Sequence, residues 1–319
     1  MLKYIIKRVL IMIPIFLGLT FIIYLLLSLM PGENAAEAEV TQTILAGTQV
    51  TDEMRAEIFR KYGLDVGVGQ QYLNWLGSVF QGTWGNTYSN LSKSVISVIG
   101  ERVVPTLILM GTGLLLSFVI AVPLGVLSAL KVKGFIDNLC TVITFLGNSL
   151  PGFMVSILGI YVFSVTLGLL PSQYSTRGNY PYFVYLVMPA CIIAITTMGR
   201  YIKQTRSSML EVMNEEYVKT AKSKGLPYGK VVFRHMLRNA AIPIVTVVGL
   251  SVPNLIGGSV VIERIFSWPG LGSYLVDAIN MRDIPVIMGI VAIIIIIIVL
   301  VTNLLLDIIY TWLDPRLRV

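Results

Sequence analysis

Apolar residues in this chain occur in long uninterrupted runs separated by polar segments. A run of about twenty apolar residues is the length an α-helix needs to cross a bilayer, whereas strands of a membrane barrel alternate over about ten residues. The runs cover residues 9–30, 103–130, 139–167, 183–199, 240–262 and 286–306. This pattern predicts an all-α membrane protein with six transmembrane helices.

The first run follows Lys3, Lys7 and Arg8 and has the outline of a secretory signal peptide. It is 22 residues long, whereas the apolar region of a signal peptide has roughly 7–15 residues. We therefore predict a transmembrane helix that the protein retains.

The composition supports a membrane protein and excludes several classes of function. Of 319 residues, 55% are apolar and 13% are charged, whereas roughly 25% of an average soluble chain is charged. One histidine, His235, and two cysteines, Cys140 and Cys191, are too few for a His-dependent triad, a His-rich zinc site or a disulfide scaffold. Neither a G-x-x-x-x-G-K-[ST] loop nor an H-E-x-x-H motif occurs, so we expect no nucleotide, metal or other cofactor on this chain.

Basic residues fall mainly on one side of the six predicted spans. If the N-terminus is cytoplasmic, sixteen of the 24 Lys and Arg residues and six of the 17 acidic residues lie in cytoplasmic segments. The net charge is then +10 inside and −3 outside, in agreement with the positive-inside rule. We predict that both termini are cytoplasmic. Orientation and attraction to lipid headgroups account for the basic charge without a nucleic acid partner.

Two polar segments are too long to be simple connections. Residues 31–102 are predicted to form a small extracytoplasmic subdomain with helical pieces at 51–62 and 71–80, and residues 200–239 form a cytoplasmic segment. The predicted domains are the first helix with the extracytoplasmic subdomain (1–93), a transmembrane domain of five helices (94–313) and a cytoplasmic tail (314–319).

The residues inside the spans favour a pathway between helices. Ionisable residues are absent near the centres of the six runs, which argues against an ion-coupled carrier and against a metal or aspartyl intramembrane protease. Small residues and prolines interrupt the second, third and fifth runs instead; they allow close packing and free carbonyl groups that can line a wet path. The candidate pathway residues are Asn148, Ser149, Pro151, Asn254 and Gly257.

The cytoplasmic segment contains a helical pattern that ends at a glycine. Met209, Val212, Met213, Tyr217 and Ala221 recur at spacings of three and four residues. We predict a helix over 207–224 that continues the fourth span, is stopped by Gly225 as its C′ residue and cannot resume at Pro227. A second short helix over 229–237 leads into the fifth span. We interpret this hairpin as a docking element for a cytoplasmic protein; the alternative is a solvated amphipathic hairpin without a partner.

The residues around this turn resemble the EAA motif of ABC importer permeases, in the form found in the peptide and nickel branch. The matching residues are 216–226 (EYVKTAKSKGL), 234–239 (RHMLRN) and 242–243 (IP). Further matches follow the same order along the chain, at 62–65 (YGLD), 71–75 (QYLNW), 261–272 (VIERIFSWPGLG), 282–285 (RDIP), Asn303, 307–310 (DIIY) and 314–316 (DPR). Lys219 stands where the general motif has a glutamate. The resemblance covers nearly the whole chain.

This resemblance implies a type I ABC importer permease, a multi-pass protein of the bacterial or archaeal plasma membrane that is not itself an enzyme. Such a permease forms a heterodimer with a second, similar permease, and the translocation path lies between them. Two cytoplasmic ATPase subunits hold ATP and Mg²⁺, and an extracytoplasmic binding protein delivers the substrate. The implied coupling helix docks on the ATPase through Tyr217, Ala221, Lys224, Gly225, Leu226 and Pro227. Residues 268–270 (WPG) are expected near the external mouth, with Trp268 at the level of the lipid headgroups.

The substrate that the resemblance implies is a dipeptide or an oligopeptide, and nickel or another small ligand of the same branch is the alternative. A stand-alone channel or carrier is a different class, which transport by the purified chain alone would favour. A structural or enzymatic membrane subunit is a third, which substrate turnover by the isolated chain would favour.

Overall fold

The computed structural model describes the backbone of residues 2–30 and 35–299 and the side chains of residues 13–30 and 35–296. Within these ranges the regular structure is helical, apart from one isolated β-bridge between Asn86 and Ser94. The all-α prediction is thereby confirmed. The last part of the sixth predicted span, the motif residues from Asn303 onward and the tail 314–319 lie outside the described residues.

The described helices form two compact units. In chain order they are α1 (Leu2–Ser28), α2 (Ala35–Leu45), α3 (Asp52–Lys61), α4 (Val68–Phe80), α5 (Val95–Leu130), α6 (Phe135–Ser149), α7 (Gly152–Gly159), α8 (Tyr182–Met213), α9 (Glu216–Ser223), α10 (Tyr228–Lys230), α11 (Leu237–Ile265), α12 (Leu271–Asn280) and α13 (Ile284–Val299). Unit 1 combines Met1–Val104 with Ser273–Ile296, and unit 2 combines Pro105–Gly272 with Ile297–Val319. The predicted boundary at residue 93 follows chain order alone, whereas unit 1 also contains a segment from late in the chain.

Three of the described helices are long and apolar enough to cross a membrane, and a bent helix pair makes a fourth candidate. The three are Val95–Leu130, Tyr182–Met213 and the continuous stretch Tyr228–Ile265. The bent pair joins Phe135–Ser149 to Gly152–Thr166. The apolar parts of α1 and α13 whose side chains are described, Ile13–Ser28 and Ile284–Ile296, are shorter.

The third predicted span is not one straight helix. α6 and α7 meet at an angle of 104°, so the predicted span 139–167 is broken where its proline and small residues interrupt the apolar run. Leu150 has an extended backbone and Pro151 caps the start of α7. Proline has no N–H for a helical hydrogen bond and disfavours helical geometry in the residue before it, which explains the break.

The fourth predicted span is much longer than its apolar run. α8 has 32 residues and is about 48 Å long, against about 30 Å for the hydrocarbon core of a bilayer. α8 ends at Met213, and the N–H of its cap residue Asn214 bonds to the carbonyl of Glu211. Glu215 is extended before α9 starts. The predicted single helix over 207–224 is therefore wrong, because α8 and α9 are separate helices.

Unit 1 has a core that is rich in aromatic side chains. Residues of α1, α4 and α13 form it, with Tyr24, Tyr72, Trp75, Met288 and Ala292 buried at its centre. The hydroxyl of Thr20 in α1 lies 3.1 Å from the hydroxyl of Tyr72. In the loop before α13, the buried Asp283 accepts hydrogen bonds of 3.1 Å from both the N–H and the hydroxyl of Ser89.

Unit 2 packs α5, α6, α8 and α11 closely around small residues. A Cβ atom on Gly125 of α5 would lie 2.5 Å from the Cβ atom of Thr205 in α8, so only glycine fits there. One buried cluster, which contains Cys140, Tyr201 and Ile202, holds α6 and α8 together. A second cluster lies under the segment between α8 and α11 and determines the position of the predicted docking element.

Candidate functional site

The cytoplasmic segment folds into a projecting turn, here called the knob, which comprises α9, the turn 224–227 and α10. α9 ends at Ser223, and Gly225 follows the cap residue with a φ of +71°. The Gly225 N–H bonds to the carbonyl of Lys222 at 2.9 Å. The predicted role of Gly225 as a C′ glycine is confirmed. After α10, a π-helix over Val231–Met236 continues directly into α11, as predicted for the second arm of the hairpin.

The knob rests on its own apolar core. Ala221 and Val218, both on α9, are buried together with Val231, Val232 and Met236. These side chains pack on Val126 and Ala129 from α5, Met209 from α8, and Ala240 and Ile244 from α11. The knob is thereby packed against the ends of three long helices.

The six predicted docking residues divide between this core and the surface. Tyr217 is 38% exposed, and Lys224, Gly225 and Pro227 are exposed as well. Leu226 is half-buried at the edge of the core. Ala221 is only 5% exposed, so its small size serves packing within the chain. The sequence pattern predicts Tyr217 on the apolar face of one continuous helix. The chain breaks at Asn214 and Glu215, which shifts the helical periodicity, so Val218 is buried in α9 in place of Tyr217.

A buried ion pair lies close to the knob. The Arg206 Nε donates to Asp137 Oδ1 at 2.7 Å, and its Nη2 donates to Oδ2 at 3.0 Å. The carboxylate of Asp137 also accepts from the Ser128 hydroxyl at 2.6 Å and from the Lys133 backbone N–H at 2.7 Å. This pair fixes the start of α6 to α8 and to the end of α5. In the sequence both charges are explained by membrane orientation. Their pairing is not predicted, because 69 residues separate the two partners.

A cavity of about 290 Å³ opens between α7, α8 and α11. Apolar groups of Phe153, Leu255 and Ile262 line one part of it. One cation, Arg200, lines the cavity together with further apolar, small and neutral polar residues, which are Gly152, Ile193, Thr196, Thr197, Tyr201, Ser251, Asn254, Gly258, Ser259 and Val261.

Arg200 follows directly after the fourth apolar run, on the same helix α8. The hydroxyl of the next residue, Tyr201, is hydrogen-bonded to that of Ser251 on α11. Three residues before Arg200, Thr197 of α8 donates to Ser117 of α5 at 2.9 Å. These bonds hold the part of α8 that carries Arg200 against α5 and α11.

The predicted pathway residues fall in two places. Asn254 lines the cavity, while Gly257 is exposed on α11 beside the lining residue Gly258. Asn148, Ser149 and Pro151 lie at the bend between α6 and α7 and are exposed. They do not line the cavity, but the next two residues, Gly152 and Phe153, do.

A buried carboxylate underlies the segment 268–272. Glu263, at the end of α11, has no exposed surface, and its Oε1 accepts from the Thr106 hydroxyl at 2.7 Å. The same hydroxyl accepts from the Leu271 N–H at 2.8 Å. Trp268 is also fully buried and donates its indole N–H to the Pro105 carbonyl at 3.0 Å. The Trp268 ring therefore packs inside unit 2 and is not exposed to lipid, while its predicted level near the headgroups stays a prediction.

No group of three or more His, Cys, Asp or Glu side chains in the described part of the chain could hold a metal ion.

Two family descriptions match the chain. The family described as "binding-protein-dependent transport system inner membrane component" matches residues 121–319, and the description of the N-terminal part of such membrane components matches residues 1–107. The chain belongs to this family. The fold and the knob are therefore those of a transport permease.

Several relatives match this chain from end to end. The oligopeptide transport system permease protein AppB of Bacillus subtilis is 38% identical over 323 residues, which covers 100% of both chains. The dipeptide transport system permease protein DppB of Escherichia coli is 33% identical over 349 residues, which covers 100% of this chain and 99% of the relative. The DppB protein of Alkalihalophilus pseudofirmus is also 33% identical, with full coverage of both chains.

A solved structure supports the fold. A chain in the crystal structure of an amino acid ABC transporter with histidines superposes with a TM-score of 0.51. It covers 67% of this chain and 92% of its own length at 14% sequence identity. The similarity shows an ABC transporter permease fold.

Proposed function

We propose that this chain is a permease subunit of an ATP-driven importer of dipeptides or oligopeptides. The named relatives, matched end to end, are permeases of dipeptide and oligopeptide transport systems. The structural observation that carries the proposal is the knob, a short helix that rests on the ends of three long helices and leaves Tyr217, Lys224, Gly225 and Pro227 exposed. The sequence contains no phosphate-binding loop, so in this proposal ATP is hydrolysed by a separate subunit. The knob is the surface that this ATPase contacts.

In this proposal the chain has six transmembrane helices and cytoplasmic termini, with the type I permease topology. α1 has 27 residues, which is long enough to cross the bilayer, and the apolar sequence that starts in α13 continues to residue 306. The net charge of +10 on the cytoplasmic side against −3 outside supports this orientation. Residues 94–313 form the transmembrane domain, and residues 31–93 form the extracytoplasmic subdomain.

The proposed assembly contains this chain, a second and similar permease, two ATPase subunits that hold ATP and Mg²⁺, and an extracytoplasmic binding protein. The complex lies in the plasma membrane of a bacterium or an archaeon. ATP hydrolysis takes place on the ATPase subunits, and this chain contributes no catalytic residue. Tyr217, Lys224, Gly225, Leu226 and Pro227 contact the ATPase, while Ala221 holds the docking helix against its core. A rigid-body motion is transmitted through the knob to α5, α8 and α11.

The bend at Pro151 supports the location of the pathway. Non-helical backbone at membrane depth is tolerated where it is covered by protein or lines a water-filled cavity. Asn148, Ser149 and Pro151 are exposed at this bend, and the cavity begins at Gly152. We therefore place the pathway along α7, α8 and α11, where Asn254 and Gly257 also lie.

Purification of the assembly tests this function. The chain is expressed with its genomic neighbours, purified in mild detergent, and its companions are identified by mass spectrometry. We expect a second permease and ATPase subunits, and we expect di- or oligopeptides on the binding protein to stimulate ATP hydrolysis. Stimulation by nickel and not by peptides would show that the substrate is wrong, and solute transport by the chain alone would show that the class is wrong.

A further inference from the structure

Arg200 is an isolated cation in an otherwise neutral cavity. It is exposed, and it has no hydrogen bond or ion pair to a side chain in the described residues. The lining side chains that can hydrogen-bond are hydroxyl groups and the amide of Asn254, and none is a carboxylate. In the same unit, Arg206, six residues further along α8, is paired with Asp137 on two atoms. The contrast between these two arginines shows that the fold neutralises one of them and leaves the other available.

The surroundings of Arg200 favour an anionic partner. Arg200 lies on α8 next to Tyr201, whose hydroxyl is hydrogen-bonded to that of Ser251 on α11. The cavity between these helices has no carboxylate in its lining. A ligand with a negative charge is the partner that the cavity lacks.

We propose that Arg200 binds the C-terminal carboxylate of the peptide during its passage through the membrane. This inference rests on the proposed function. Peptides of different sequence share their main chain and their two termini, and a guanidinium group recognises a carboxylate through two parallel hydrogen bonds. The exposed amide of Asn254 can bond to the peptide main chain, and the Thr196 hydroxyl, which donates within α8, can accept a hydrogen bond from it. Phe153, Leu255 and Ile262 give an apolar wall that accepts many side chains.

The size of the cavity supports a terminal residue as the occupant. A volume of about 290 Å³ is at the small end of ligand pockets, which measure roughly 300–1,000 Å³. The cavity suits the last residue of a peptide more than a whole oligopeptide. A single charged contact is also compatible with release, which transport requires.

The test uses the complete assembly in proteoliposomes and two forms of one tripeptide, with a free C-terminus and with a C-terminal amide. Each form is supplied already bound to the same binding protein at saturating concentration, so that differences in capture cancel between variants. Wild-type protein is expected to transport the free form at least tenfold faster. Arg200→Gln is expected to slow the free form at least tenfold and to bring the two forms within threefold of each other. Arg200→Lys, which keeps the charge but not the two-pronged donor, is expected to lie between them.

Lys203→Gln is the matched control, since Lys203 is exposed on the same helix and does not line the cavity. It should keep wild-type rates and selectivity. An amidated tripeptide with a terminal aspartate side chain distinguishes a C-terminal carboxylate from any carboxylate. Its transport as fast as the free form would overturn the assignment to the C-terminus.

Failure of this inference can be told apart from failure of the proposed function. If the wild-type assembly takes up no peptide, the proposed function is wrong. If it takes up peptide and Arg200→Gln keeps wild-type selectivity, Arg200 is not the carboxylate ligand. If Arg200→Gln does not assemble, Arg200→Lys decides the question, and unchanged selectivity and rate in that variant would contradict the two-pronged contact.

Discussion

Arg206 of α8 donates two hydrogen bonds to the carboxylate of Asp137 in α6, from Nε to Oδ1 at 2.7 Å and from Nη2 to Oδ2 at 3.0 Å. The side chain of Asp137 is 7% exposed, and that of Arg206 is 33% exposed. Removing one partner leaves the other charge in a poorly hydrated place, and the Ser128 hydroxyl loses a charged acceptor. The pair therefore stabilises the end of unit 2 that carries the knob.

We expect Asp137→Asn to lower the free energy of unfolding by about 1–3 kcal/mol, the range for a hydrogen bond to a charged group whose partner is left unsatisfied. Thermal unfolding of the purified assembly measures this. Lys133→Asn is the control, because Lys133 contributes only its backbone N–H and has a φ of +60°, which asparagine accepts. The double variant Asp137→Asn with Arg206→Gln should be less destabilised than the two single effects added together. Additive effects would contradict a direct interaction.

We expect Gly225→Val to leave expression and membrane insertion near normal but to weaken ATPase docking and abolish uptake. The φ of +71° at Gly225 costs a β-branched residue about 1–2 kcal/mol of backbone strain. A Cβ atom added at this position would meet nothing within 4 Å, so the effect comes from backbone conformation and not from a clash. Pull-down of the ATPase subunits together with uptake assays measures the result.

Two companion variants sharpen this test. Gly225→Asn should behave close to wild type, since asparagine tolerates a positive φ, and Lys222→Ala should lose little because Lys222 is exposed. A Gly225→Val complex that assembles and transports like wild type would remove the docking role from the turn.

We expect Gly270→Ala to destabilise unit 2 by about 1–3 kcal/mol, as overpacking does. A Cβ atom at this position would lie 2.4 Å from the Cδ atom of the buried Glu263. Gly111→Ala on α5 is the control, because a Cβ atom there meets nothing within 4 Å. The melting temperatures of the two variants in detergent should differ by several degrees, and equal values would show that the Glu263 environment can relax.

We expect the packing of α2 on α3 in unit 1 to weaken in acid. Glu39 accepts hydrogen bonds from Lys61 Nζ at 2.8 Å and from the Tyr62 hydroxyl at 2.7 Å, and these bonds hold its pKa below its ordinary value. Burial, and then the hydrogen bond to Glu39, raises the pKa of Tyr62 to about 12, so its hydroxyl stays a donor. A lowered carboxyl pKa gives stability that is complete above the unfolded pKa of about 4.3 and is lost as the pH falls through the folded value.

Hydrogen exchange of α2 and α3 at pH 7, 5 and 3, corrected for intrinsic rates, measures this effect. Glu39→Gln should reduce protection at pH 7 by up to about 1 kcal/mol, because the group is partly exposed, and wild type should approach the variant at pH 3. Glu57→Gln, at an exposed position of α3, should match wild type throughout. Equal protection of Glu39→Gln and wild type at pH 7 would contradict the prediction.

Local patterns predicted the features that depend on neighbours in the sequence. Apolar runs predict the long helices, and Gly225 and Pro227 predict the turn of the knob, because a missing Cβ atom and a missing N–H act within one helical turn. The bend at Pro151 has a local cause as well, but an apolar run hides it. Proline inside an apolar segment is also present at Pro189 and Pro253, within helices that continue.

Features that depend on tertiary packing could not be predicted in this way. The place of Arg200 in the cavity follows from the way α8 packs against α7 and α11, and nothing within a few residues of Arg200 encodes that packing. The pairing of Asp137 with Arg206 and the burial of Glu263 and Trp268 likewise depend on partners far away in the sequence. Charge counts only assign Arg200, Asp137, Arg206 and Glu263 to one side of the membrane. The sequence therefore predicts the turn of the knob but not the residues that these charged groups contact.

The π-helix over Val231–Met236 sets the angle at which the knob stands around the axis of α11. The Leu237 N–H bonds to the carbonyl of Val232, five residues back, so the chain here has one residue more per hydrogen-bonded turn than an α-helix. Each residue of an α-helix advances by about 100° around the axis. Loss of a single residue in this segment would rotate the whole knob by about that angle while leaving every knob residue in place. The number of residues between α10 and α11 therefore determines how the knob is rotated about the axis of α11. Related permeases that differ here by one residue should present a different face of the knob to their ATPase.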